Sequence, residues 1–548
     1  MFSVTDLELH PYSAPSQSSN RLDWRAPLTP QKYTKAKRLN RLLKSREASD
    51  KDECKHCQRH VLSKKTSSDE ATDDESPPML KGLDDYAFIR RDADYEPFVQ
   101  EVWHDQIVRG WPKAIPYTTE QGINVAVRQC INFISMDDAA YYILLCGGII
   151  GHASARQDQI SIRNMPSLFH KVRVRAVQAL RKDITRLKHG VPTDALMASI
   201  LSFALQETIY DDHAGEGPGW PKSPMARAQL LSWAGGLNRQ SKHLLAFYDL
   251  LERRGGLKTV TEPGLRRMIQ LCDLLTSSTT AASPRYPLCV PSQNLTASGW
   301  IELDNSAMQL HQTFGSKFKA FTSISWQFLE ALMSLLPIIR DVTVAIDLHK
   351  RTGGDRPSLG ELVDFANSVH WKILCLGKHK DPKIRVSGST ADIRMEANSV
   401  STEQGMKEMI WRQTLEPVRL AALIYSNLVI FPVAHSAGVG RNLAQLLRQL
   451  YESDQVRIYE TQLEMWVLAM GCVASWGTAD RSWFVEKLKV HTMTIFVMDE
   501  SCDFDPLEME QHDFLNLMRG FLWWEPVCFV PMREVWEEAF EKDGRYDY

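Results

Sequence analysis

From about Leu83 onward, apolar residues recur three and four positions apart and almost never at every second position. That spacing lines one face of a helix, whereas on a strand it would scatter apolar side chains over both faces. Residues 243–254, HLLAFYDLLERR, place Leu244, Phe247, Tyr248 and Leu251 at i, i+3, i+4 and i+7. Gly255 and Gly256 follow, and glycine takes the left-handed conformation that ends a helix at little cost. Residues 193–209, TDALMASILSFALQETI, come after Pro192 and offer Thr193 or Asp194 as a cap. They carry Leu196, Ile200, Leu201 and Ala204 on one stripe. The same reading gives helices over 265–275, 442–451, 461–475, 481–491 with Asp480 as cap, and 514–524 closed by Glu525-Pro526. The best strand candidate is LVIFPV, 428–433, and it is short. The expected fold is therefore all-α: a large multi-helix domain over 83–548, with loops at 211–224, 277–299 and 376–404 and no fixed-period repeat.

The chain has 548 residues, 44% hydrophobic and 24% charged, enough apolar material for a large core. Two stretches are apolar enough to test as membrane spans: AAYYILLCGGIIGHA (139–153) and LAALIYSNLVIFPVA (420–434). Both fall short of the ~18–20 uninterrupted apolar residues that a span needs, so they read as buried core helices and no membrane partner is expected. The opening MFSVTDLELH has early acids and no apolar core, which is not a secretory signal. The ten cysteines are scattered, as in a protein of the cytosol or nucleus.

Residues 1–82 differ from the rest. Residues 11–30 are rich in Pro, Ser and Gln, 32–46 are basic and 69–75 are acidic. Segments this polar bury too little apolar surface to offset chain entropy, so a disordered tail is expected there. The basic run holds Lys32, Lys35, Lys37, Arg38, Arg41, Lys44 and Arg46 with no acid among them. Such a run can be a solvated segment, a nuclear-import signal or a phosphate contact. The acidic tract has no interleaved aromatic residue and reads as a solvating linker. Net charge is −3, so attraction to a polyanion has to come from a local patch.

Residues 53–60, ECKHCQRH, place Cys54 and Cys57 at C-x-x-C spacing with His60 three residues on. A structural zinc needs four ligands and this segment offers three, so no metal site is expected. HSAGVGRNLAQLL (435–447) superficially resembles a nucleotide-binding turn but lacks its third glycine and a surrounding βαβ pattern, and reads as a loop entering a helix. Asp211, Asp212, His213 and Glu216 in IYDDHAGEG read as a solvated loop. No G-x-S-x-G, H-E-x-x-H, Walker loop or kinase set is present, so neither a catalytic residue nor a cofactor site is expected, and the chain reads as a non-enzyme.

Taken together, LQETIYDD…KHLLAFYDLLERRGGLKTV…LRRMIQLCDLL…SPRYPL (205–288) resembles the regulatory domain of fungal-specific transcription factors. The matching positions are His243, Arg254, Gly255, Gly256, Asp273 and Pro287. The segment 464–528 is similar to the end of the same domain through Trp466, Gly471, Trp483, Phe484, Leu488 and Trp523. The family's DNA-binding element is a six-cysteine binuclear zinc cluster, and nothing after Cys57 and before Cys130 can complete one. The resemblance thus implies a nuclear transcription regulator whose helical domain works through protein partners, either transcription machinery or a DNA-binding partner. Direct DNA contact, oligomeric state, target genes, effector and sign of regulation are left open. The alternative is a cytoplasmic helical scaffold that keeps only the fold.

Overall fold

A computed structural model describes residues 96–541, outside 117–123, 156–165, 188–189, 207–217, 232–241, 289–301, 322–325, 354–356, 377–413, 454–455, 457, 459 and 499–510. The described residues hold seventeen α-helices and no strand, an all-α fold. In chain order these are α1 Glu96–Asp105, α2 Trp111–Ala114, α3 Val125–Met136, α4 Asp138–Ala155, α5 Pro166–Leu187 and α6 Asp194–Leu205. Next come α7 Lys242–Arg254, α8 Pro263–Thr280, α9 Asn305–Thr313, α10 Trp326–Arg351, α11 Leu359–Cys375 and α12 Glu416–Val429. The last are α13 Val439–Glu452, α14 Thr461–Ala474, α15 Asp480–Met498, α16 Gln511–Arg519 and α17 Glu525–Trp536. The chain divides at Tyr86/Ala87, and everything on the N-terminal side, including 32–46, Cys54, Cys57 and 69–75, lies outside the described residues.

Local chemistry sets many helix ends. Thr193 is extended and its hydroxyl accepts the Leu196 amide, which starts α6. Ser358 and Glu361 form a reciprocal capping box at the start of α11. Gly255 and Gly256 close α7 with φ of 111° and 78°, and their amides bond back to Glu252 and Leu251.

The largest core cluster draws on α8 and on α10 through α17. Trp466, Trp524, Phe431, Phe484, Phe514 and Phe521 are all essentially inaccessible there. At the N-terminal end, Trp103 packs against Trp111 and Tyr141 at ring distances of 5.8 and 5.6 Å. Here α4 is nearly all apolar and lies against α1, α3, α5 and α6. A Cβ on Gly148 would stand 2.7 Å from Val102, so a glycine is what lets α1 approach α4. Sequence-distant pieces also meet: the Ser223 hydroxyl donates to the Val429 carbonyl at 2.6 Å across 206 residues, and the Ala434 amide donates to Leu231.

Four local expectations need correction. LVIFPV is no strand: its first two residues end α12, and the amides of Ile430 and Phe431 both bond the Ser426 carbonyl. A short wholly apolar run has no period, and its burial on all sides suits a helix end equally well. Glu525-Pro526 opens α17 rather than closing a helix over 514–524, and α16 stops at Arg519. The proline nitrogen falls in the first turn, where an amide would have had no helical partner anyway. Asp480 lies inside α15; its amide bonds Thr478 while its carboxylate pairs with Arg448 at 2.7 Å. The loop expected at 277–299 starts later, because α8 runs on to Thr280.

Candidate functional site

The residues behind the resemblance come together at two anchors. The first is a buried ionic knot where α6, α7 and α8 converge. Asp194 and Arg254 are each nine-tenths buried, with Arg254 Nη2 2.6 Å from Asp194 Oδ1. Asp194 Oδ2 also accepts the Thr261 amide (2.8 Å), the Thr261 hydroxyl (2.6 Å) and the Glu262 amide (2.9 Å). Burial pushes the Asp194 carboxyl up, but the Thr261 hydroxyl, the two amides and Arg254 outweigh it and hold it below the usual range. Arg254 spans the turn by donating to the Thr259 carbonyl at 2.8 Å.

The second anchor is SPRYPL, 283–288, folded back on α7, α8 and α11. Asp273 accepts the Tyr286 amide at 2.9 Å, and Gln270 donates to the Pro287 carbonyl at 2.5 Å. The Tyr286 hydroxyl donates to Glu252 at 2.8 Å, Trp371 donates to the Tyr286 carbonyl, and Arg285 lies 4.5 Å over the Tyr248 ring. His243, in the first turn of α7, meets Phe203 edge to face. Both anchors fix helices to one another; neither points a reactive group at solvent.

Beside the second anchor lies a narrow cleft walled by Ile115, Met268, Leu271, Leu274 and Leu288. Its polar groups are Gln229, Gln270, the Arg267–Asp364 pair at 2.7 Å, and Asn367, whose side-chain oxygen is buried without a donor. Gln229 holds a left-handed backbone at φ 52°, an uncommon state for a side-chain-bearing residue. The interior leaves about 20 Å³ for the centre of a water molecule, which suits one water and not an organic ligand.

His370 is buried between the hydroxyls of Ser278 (2.7 Å) and Ser426 (2.9 Å) and stacks on Phe431 at 4.4 Å. The serine–histidine contact looks catalytic on paper, but it is sealed in the core. Burial takes the His370 pKa down to about 3. The sign follows directly: the unfolded imidazole gains its proton near pH 6.5 and the folded one does not, so stability falls as pH drops from about 6.5 toward 3. At pH 5.5 the loss relative to pH 8 is on the order of 1 kcal/mol. Urea titrations at the two pH values should show that difference in the wild type and not in His370→Gln; an unchanged pH dependence in the variant would reject the assignment.

Burial likewise pushes the thiols of Cys130, Cys146, Cys272, Cys472 and Cys528 up to about 12, which disfavours the thiolate form. Among the described residues no group of His, Cys, Asp and Glu is placed to hold a metal, and no helix is long and apolar enough to cross a membrane. The loop 435–438 is a single 3₁₀ turn ending in Gly438 at φ 67°, from which α13 starts. Asp211, Asp212, His213 and Glu216 lie outside the described residues. Compared with protein-family models, with curated proteins and with solved structures, the chain has no match.

Proposed function

We propose that the chain is a transcription regulator whose helical domain serves as a regulatory and protein-interaction module, of the kind found in the fungal-specific transcription factors it resembles. The observation that carries this reading is the segment 243–288. The positions shared with that family are the ones on which the local architecture depends: Arg254 in the knot, Gly255 and Gly256 at the turn, Asp273 and Pro287 in the return of the chain. Gly471 fits the same picture, since a Cβ there would lie 2.4 Å from the Phe484 ring where α14 crosses α15. A module of this kind changes output when a partner binds one arrangement of its helices better than another. Recruitment to DNA then runs through a partner, because Cys54 and Cys57 cannot build the family's zinc cluster.

The test is chromatin occupancy of the tagged full-length protein, alongside the Cys54→Ser/Cys57→Ser variant. Discrete peaks in both are expected. Peaks in the wild type alone would mean that ECKHCQRH binds metal after all. An absence of peaks in both, with a cytoplasmic protein, would replace this reading by that of a scaffold.

A further inference from the structure

The turn 224–230 changes direction sharply at Ala228 and Gln229. Gln229 takes a left-handed backbone, φ 52° and ψ 20°, a state mostly left to glycine and asparagine. A strained residue of this kind persists only where its surroundings fix it. On the backbone side the fixing is plain. Ala228 and Leu231 are 1% exposed, the Ser223 hydroxyl bonds the Val429 carbonyl, and the Ala434 amide bonds the Leu231 carbonyl. On the side-chain side a partner is missing. Gln229 is 8% exposed and lines the cleft beside the second anchor, yet no described residue bonds its carboxamide. Asn367 reaches the same cleft from α11, and its side-chain oxygen is buried without a donor. A buried amide left unbonded is costly, so two of them in one small cleft call for a shared partner.

We propose that the cleft binds one ordered water, hydrogen-bonded at once to the carboxamides of Gln229 and Asn367, and that this water clamps the turn 224–230 to α11. The size fits. The interior admits the centre of a water over about 20 Å³, and one water needs ~10–15 Å³ by that measure. The chemistry fits as well. Each carboxamide carries both a donor and an acceptor, so an occupant that donates and accepts can serve both. Gln270 lines the same cleft, and its NH2 group donates to the Pro287 carbonyl, which leaves its oxygen as a third partner. Buried waters make about three such bonds.

A bare ion fits less well. Arg267 and Asp364 line the same cleft, paired at 2.7 Å, with side chains 30% and 22% exposed. A cation held by the amide oxygens would lie near the Arg267 guanidinium. An anion held by the amide N–H groups would lie near the Asp364 carboxylate. Each would meet a charge of its own sign, and a neutral water meets neither penalty. The clamp is independent of the proposed function, since it concerns how the turn is held and not what the domain binds.

The experiment is a double-mutant cycle on the full-length protein, read by urea titration, with a crystal structure of the wild type beside it. Gln229→Met and Asn367→Leu keep the shape of each side chain and remove its amide. Each should raise the unfolding constant about fivefold or more, because the other amide is left without its full set of bonds. The double variant should fall short of the product of the two by at least about threefold, since both changes remove the same bridge. Gln229→Gly guards against a misfolded turn, because glycine takes the left-handed backbone freely, and with Asn367→Leu it should show the same shortfall. Effects that multiply in both cycles would overturn the proposal. In the crystal, a density peak ~2.7–3.2 Å from both side chains is expected. A dry cleft, or a peak that touches only one of the two, would overturn it. So would an anomalous signal at that place after soaking in rubidium or bromide, which would make the occupant an ion.

Discussion

Alanine at position 194 should destabilise the domain by about 3–5 kcal/mol, the usual penalty for breaking a buried ion pair from one side. Asp194→Ala removes the acceptor of the Thr261 hydroxyl and of two amides, and leaves the Arg254 guanidinium buried beside nothing negative. Adding Arg254→Leu to that variant should recover part of the loss, because the orphaned charge goes with it. Denaturant titration measures the global effect. Amide exchange gives the local one, since the N–H groups of Thr261 and Glu262 lose their acceptor and should exchange faster. A single variant within about 1 kcal/mol of wild type would mean that the knot is not a keystone of α6, α7 and α8. The pH dependence has a fixed sign. The Asp194 carboxyl is held low in the folded state, so its contribution is present above the unfolded value of ~3.9 and disappears as pH falls through the folded value.

Trp466→Ala should cost a similar amount, about 3–5 kcal/mol, for a different reason. Trp466 is fully buried on α14, edge to face with Phe318 and stacked on Phe521, both at 5.6 Å. Phe318 and Phe521 also meet at 5.3 Å, so alanine would open a cavity in the middle of three rings. Trp466→Phe separates volume from polarity. The indole Nε1 is buried without an acceptor, and phenylalanine removes that unmet donor along with part of the ring. The Phe variant should therefore lose only about 1 kcal/mol in the same titration. Equal losses for Ala and Phe would show that ring volume is not what the site requires.

How much of this was legible in the sequence depended on range. The end of α7 was readable because Gly255 and Gly256 act on the residues next to them, and the start of α6 because Thr193 caps three residues on. Asp194 was not. It stood beside Thr193 as a rival cap, yet its carboxylate serves residues 67 and 68 positions away, and no local pattern marks that. LVIFPV and Glu525-Pro526 failed as predictors because an apolar run and a proline each admit two local structures, and packing chooses between them.

The bond from Ser223 to the Val429 carbonyl has a consequence for how the chain comes off the ribosome. At ~5–20 residues per second, the stretch around Ser223 emerges about 10–40 s before its partner exists. Through that interval the turn 224–230 has neither Val429 nor Ala434 to close against, and Met225, Ala228 and Leu231 lack part of the core that later covers them. The first half of the domain thus waits as an incomplete surface. A nascent chain halted before residue 429 is the form of this protein on which a chaperone has the most to hold.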